Sequence, residues 1–140
     1  MKKSGFTLIE LLMASVVLAV LAAIAIPNFT RMQIRAGESE VKSVAHSVQV
    51  AVEDFNTVPG HEGIKPTTVE QFLTYLPTDV LRKKNPFSAT GATYGSGEIV
   101  FLSPAAEGRV GYTPASPYFI EAEGKNNPMT IFILTLYEGE

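Results

Sequence analysis

Residues 6–26 read FTLIELLMASVVLAVLAAIAI, holding 18 hydrophobic residues out of 21, and Pro27 follows directly. As a helix rising ~1.5 Å per residue, such a run spans roughly 31 Å, the thickness of a bilayer's hydrocarbon core. A helix apolar on every side must be covered by lipid, be covered by protein, or be removed from the chain. The other 119 residues are about 39% hydrophobic, ordinary for a body that faces water. The chain is therefore a greasy front end in series with a soluble part.

Three fates compete for the front end. Lys2 and Lys3 with Ala23-Ile24-Ala25 suit a removable secretory signal. A permanent single-span anchor is the second fate, and cleavage ahead of the apolar stretch is the third. Glu10 discriminates between them. A carboxylate inside an apolar span costs about 2.5–3.5 kcal/mol on insertion scales and needs a partner. A discarded signal has no use for it. Between Lys3 and Arg31 there is no lysine or arginine, so the partner is expected from outside the segment. A cut between Gly5 and Phe6 would create an α-amine that supplies it. Thr7 and Ser15 are harmless in such a helix, because their hydroxyls can bond back to the backbone.

Lys2-Lys3-Ser4-Gly5 followed by Phe6-Thr7-Leu8-Ile9-Glu10-Leu11-Leu12 closely resembles the class III leader of type IV pilins, shared by the pseudopilins of type II secretion. The resemblance covers about residues 1–56 and the general layout beyond. It implies that Gly5 is the last leader residue, recognised by a prepilin peptidase, and that Phe6 becomes an N-methylated N-terminus. It implies that Glu10 pairs with the Phe6 amine of a neighbouring subunit and sets the axial register. It also places the leader in the cytoplasm. Charge does not decide that orientation, since Lys2 and Lys3 on one side balance Arg31 and Arg35 on the other.

Pro27 removes one helical hydrogen bond and is expected to break or kink the helix there. In the family the segment before this proline is often unwound, but the usual upstream glycine falls at Ala19, and alanine favours helix by ~1 kcal/mol. Farther on, Val41, Val44, Ala45, Val48, Val52 and Phe55 form a helical stripe. The helix should end near Asn56, before Pro59-Gly60. A stripe of only about two heptads is too short for a free coiled coil, so it is expected to pack on the chain's own C-terminal half.

That half holds eight of the nine prolines and nine of the eleven glycines, which favours turns and short strands. Residues 67–76 suit a short helix with Thr67 as N-cap, Glu70 completing a capping box and Pro77 beyond its end. Residues 81–97 read as an irregular connecting loop. Strand candidates are 99–102, 110–113, 118–122 and 129–137, with turns over 113–117 and 124–128. The expected fold is α+β: a long N-terminal helix packed on a small antiparallel β-meander, in the pilin manner. The divisions are a leader at 1–5, a transmembrane and assembly helix at 6–26, an amphipathic helix at 27–56 and a globular head at 57–140.

The rest of the chain offers little chemistry. Zero cysteines exclude disulfides and thiol nucleophiles. His46, expected on a helix flank, and His61, expected in a turn, are too few for a catalytic or metal cluster. Pseudopilins commonly bind calcium through aspartates in their C-terminal loops. Here calcium would have to use Glu107, Glu121, Glu123 or carbonyls, so no metal or other cofactor is expected. The segment Gly91-Ala92-Thr93-Tyr94-Gly95-Ser96-Gly97 lacks the lysine of a phosphate loop and reads as flexible. Arg82-Lys83-Lys84 is a weak nucleic-acid patch within a half carrying six basic and nine acidic residues, so nucleic acid is disfavoured.

The resemblance implies a structural subunit and not an enzyme. The subunit would be stored in the bacterial inner membrane after prepilin cleavage, then stacked helix to helix into an extracellular type IV pilus-like filament. Its partners would be copies of itself, the prepilin peptidase and N-methyltransferase, and a pilus assembly platform. Two alternatives share the fold: a pseudopilin in a periplasmic type II secretion piston, and a minor pilin whose head binds DNA or surfaces. A secreted enzyme with an ordinary signal is the third, and it lacks a catalytic cluster.

Overall fold

The computed structural model describes residues 5–101, 106–114, 118–125 and 132–137. The chain divides into two compact units, Met1–Arg35 and Ala36–Glu140. Helix α1, Leu8–Thr57, contributes to both.

In the first unit the helix is exposed along nearly its whole described length, and it is long and apolar enough to cross a membrane. The break expected at Pro27 is absent, because α1 runs through the proline without interruption. Polar side chains just beyond the apolar run bond back to carbonyls around it. The amide of Asn28 donates to Ile24 O at 3.3 Å and the Thr30 hydroxyl to Ile26 O at 3.0 Å. Proline withdraws one N–H, and these side-chain donors serve neighbouring carbonyls of the same turn.

In the second unit the stripe Val41, Val44, Ala45, Val48, Val52 and Phe55 is buried as its spacing predicts, and Ala51 joins it. It shares one core with Phe72, Leu76, Val80, Tyr94, Ile99, Val110, Tyr112, Tyr118, Ile120, Ala122 and Leu136. A polar tie reinforces the packing, for the Tyr118 hydroxyl donates to the Glu53 carboxylate on α1. Gly37 is the first buried residue of α1, and packing explains a glycine inside a helix. A Cβ there would lie 2.8 Å from Cζ of Phe87 and 3.3 Å from Cβ of Pro86.

The four strands are β1 (Ile99–Phe101), β2 (Val110–Thr113), β3 (Phe119–Glu123) and β4 (Phe132–Tyr137), in that order across one sheet. The last three form the expected antiparallel meander, with a register shift at Ala122/Glu123. The first does not, because β1 runs parallel to β2, Ile99 opposite Val110, and the sheet is mixed. A backbone bond and an ion pair fasten both strands at their starting ends. Val110 N donates to Glu98 O at 3.1 Å, and Arg109 Nε lies 3.4 Å from Glu98 Oε2. The turns expected over 113–117 and 124–128, and the first residues of the strand expected from 129, lie largely outside the described residues.

The short helix is smaller and one residue later than its expected start. Helix α2 spans Val69–Leu73 with Thr68 as N-cap, and Gln71, not Glu70, closes the box. The Gln71 carbonyl accepts from Thr67 N at 2.6 Å and Thr68 N at 3.1 Å, which an amide does without bringing a charge. Past Leu73 the chain tightens into i→i+3 turns that turn Leu76 into the core. The expected 81–97 loop is also more ordered than its composition suggests. Helix α3, Thr78–Arg82, enters it, anchored by buried Val80, and a 3₁₀ turn over Tyr94–Ser96 buries Tyr94. Lys84 and Thr93 pair in an isolated antiparallel bridge that closes the segment.

Candidate functional site

The N-terminal segment concentrates the candidate processing and assembly residues. Gly5 has open space around it, and Phe6 is 82% exposed, so the Gly5–Phe6 bond is accessible. Thr7 precedes the first residue of α1, and Glu10 stands three positions on. The two form a reciprocal cap. Glu10 Oε2 accepts from Thr7 N at 2.9 Å and from Thr7 Oγ1 at 2.6 Å, while Thr7 Oγ1 accepts from Glu10 N at 3.4 Å. This is a Thr-x-x-Glu capping box, and its carboxylate also complements the positive end of the helix dipole.

The cap corrects one expectation: Glu10 has a partner within its own segment. The signal was present as the Thr7/Glu10 spacing, and it is obscured by counting only cations as partners for a carboxylate. Farther along, Ser15 Oγ donates to Leu12 O at 2.8 Å, as a hydroxyl in an apolar helix should. No such answer exists for the large apolar side chains. From Phe6 to Met32 each is exposed, between 48% at Leu12 and 83% at Leu8.

The basic cluster does not form one patch of equivalent side chains. Arg82 closes α3, Lys83 is half-buried, and Lys84 is exposed in the bridge with Thr93. Lys83 serves the backbone, donating its N–H to Asp79 O and Val80 O and accepting from Tyr94 N. His46 is exposed on α1, and the His61 ring stacks on Phe55 at 4.2 Å. Among the described residues, no group of three or more His, Cys, Asp or Glu is placed to hold a metal.

A polar cluster at the start of the sheet has no signature in the local sequence. Asn85 is 3% exposed, and its amide donates to Glu98 Oε2 at 2.6 Å and Glu107 O at 2.8 Å. Its Oδ1 accepts from Phe87 N at 2.9 Å, which fixes the amide orientation. Beside it the buried Tyr94 hydroxyl donates to Gly108 O at 2.9 Å. Burial, then the charges of Glu40 and Glu98, push the Tyr94 phenol above its ordinary range. Glu123 is 1% exposed and, among the described residues, its Oε2 has no hydrogen-bond partner. Desolvation raises its carboxyl above the usual range. Glu121 and Glu107 push the same way, against an Ala106 N–H and Arg109. Asn85-Pro86 belongs to the expected 81–97 loop, and nothing local announces the carboxylate that Asn85 meets.

Residues 1–26 match the family described as the prokaryotic N-terminal methylation motif. Over 54 residues the chain is 43% identical to the type IV major pilin protein PilA of Myxococcus xanthus (strain DK1622). That stretch covers 39% of this chain and 24% of PilA, so the chain matches about a quarter of its relative's length. No solved structure matches the chain. Over part of its length the chain is thus similar to a type IV major pilin, and it carries the methylation motif on an α+β framework.

Proposed function

We propose that this chain is the repeating subunit of a type IV pilus-like filament. One observation carries it: the methylation motif coincides with a helix that leaves fifteen large apolar side chains, Phe6 to Met32, exposed among the described residues. At roughly 1 kcal/mol for each half-exposed side chain, covering them with lipid or with neighbouring copies supplies about 15 kcal/mol relative to water. In this reading residues 1–5 are the leader, 6–26 the membrane and assembly helix, 27–56 its amphipathic continuation and 57–140 the head.

Prepilin peptidase cuts between Gly5 and Phe6 in the inner membrane, and the new amine is methylated. Lys2 and Lys3 leave with the leader, so the charge becomes 9 basic against 14 acidic, −5 in place of −3. On assembly Glu10 turns from Thr7 to the Phe6 amine of the next subunit. Opposite charges ~4 Å apart attract by about 4 kcal/mol at an effective dielectric of 20, enough to set register. The pilus form is favoured because the matching relative is a type IV major pilin.

The test is the intact mass and first residue of the chain in filaments sheared from cells. Methylated Phe6 is expected, and Glu10→Val should leave processed subunit in the membrane with few filaments. A mature chain starting at Ile26 refutes the proposal, and normal filament yield from Glu10→Val refutes the register role.

A further inference from the structure

Outside the N-terminal block, the exposed large hydrophobics among the described residues are Val50, 59% exposed, and Ile64, 53% exposed. They occupy surfaces of opposite shape. Val50 lies in a groove of about 640 Å³ on the outer face of α1, with Tyr75 and Pro77 as one wall. Lys42 and His46 line it on one side of Val50 and Asp54 on the other. Ile64 stands on a turn just past the end of α1. Two turn hydrogen bonds, His61 N to Val58 O at 2.9 Å and Ile64 N to His61 O at 2.8 Å, hold it. Gly60 and Gly63 take positive φ, 92° and 73°, and the His61 ring is stacked on Phe55. The turn is therefore a preorganised knob, presented without ordering cost on docking.

We propose that Ile64 of one subunit seats on Val50 in the α1 groove of a second copy of this chain. The charges agree. Glu62, exposed two residues before Ile64, then faces the Lys42 and His46 side, one to two helical turns or ~6–12 Å from Val50. Knob and groove are different surfaces of one chain, so the contact is heterologous: each added copy leaves a free knob and a free groove, and the series stays open. A filament requires that geometry, and the inference rests on the filament reading. It adds a head-to-head contact to the stacking of residues 6–26.

The chain has no cysteine, so a disulfide reports the contact without background. Ile64 seated on Val50 brings the two positions near the Cα separation a disulfide needs. The full chain carrying both Val50→Cys and Ile64→Cys should, on mild oxidation of filaments, give a ladder extending past the dimer. Each single variant should stop at a dimer at most. Glu62→Lys should lower filament yield, and adding Lys42→Glu in the same chain should restore it. Both cysteine positions are exposed, so folding is not at issue.

Normal filaments with no ladder from the double variant overturn the docking inference and leave the filament reading standing. A product that stops at the dimer overturns its open geometry. Cross-linking of the Val50→Cys variant to a different protein overturns the second copy as occupant. If the unsubstituted chain makes no filaments, the filament reading fails, and oxidation of subunits in membranes decides the contact: a ladder supports it and none overturns it.

Discussion

Replacing Asn85 by aspartate tests the polar cluster most sharply, because it changes one atom of a buried side chain and reverses its chemistry. The Asn85 amide donates to Glu98 Oε2 at 2.6 Å, and Glu98 is 7% exposed. In Asn85→Asp two carboxylates meet at that contact. At ~3 Å and an effective dielectric of 20 their repulsion is about 5 kcal/mol, and the donor to the Glu107 carbonyl is lost as well. Asn85→Ala removes both donor bonds and also the acceptor of Phe87 N, without adding charge. One bond to a carboxylate and two neutral ones come to about 3–5 kcal/mol. For a domain of this size that lowers the melting midpoint by at least ~12 °C.

The two variants part with pH. In Asn85→Asp the repulsion between the two carboxylates is relieved when either takes a proton, so the folded variant binds a proton more readily than its unfolded chain. Stability is therefore fully present below the unfolded carboxyl pKa and is lost as pH rises through the folded one. The aspartate variant should be the less stable of the two at pH 8 and the more stable near pH 4, where an acid–carboxylate pair shares a proton. Thermal unfolding of the full chain in detergent, followed by near-ultraviolet circular dichroism, measures this. Adding Glu98→Gln should rescue Asn85→Asp at pH 8. A pH-independent loss, or no loss, refutes the placement of Asn85 against Glu98.

Glu123 carries a second pH dependence. Burial raises its folded pKa, so the folded state gives up stability as pH climbs from the ordinary carboxyl range through the raised value. Glu123→Gln should flatten that slope, matching the unsubstituted chain near pH 4 and exceeding it at pH 8, and a melting series over that range decides. Gly37→Leu should cost about 2 kcal/mol or more by driving a side chain into the Phe87 ring, and Phe87→Ala should recover part of the loss; an additive double variant argues against the contact. Tyr94→Phe should cost about 1 kcal/mol through the bond to Gly108 O, read as a lower midpoint with the same unfolding slope in denaturant.

Local pattern determined a good deal of this protein. The apolar run, the valine stripe of α1 and the strand positions at 99 and 110–113 all rest on periodicity and composition, which act over a few residues. The leader motif needs no tertiary structure to be recognised, since a peptidase meets it as a linear segment. Where the reading of residues departed from the structure, the deciding partner was non-cationic, distant or both. Glu10 found Thr7, three residues away, because a helix start offers donors as well as a dipole. Gln71 took the capping role from Glu70. The basic run at 82–84 was drawn into a helix end and a bridge by the burial of Val80 and Tyr94 on either side.

Strand direction was beyond the sequence altogether. A three-residue strand reads the same forwards and backwards in its hydrophobic pattern, so nothing at 99–101 distinguishes parallel from antiparallel pairing. Tertiary structure decided it, when the buried amide of Asn85 gathered Glu98 and the Glu107 carbonyl at one end and made β1 and β2 start together. Burial favours that choice, since the Asn85 amide and the Glu98 carboxylate are both withdrawn from water and must find partners, which this pairing of the strands supplies.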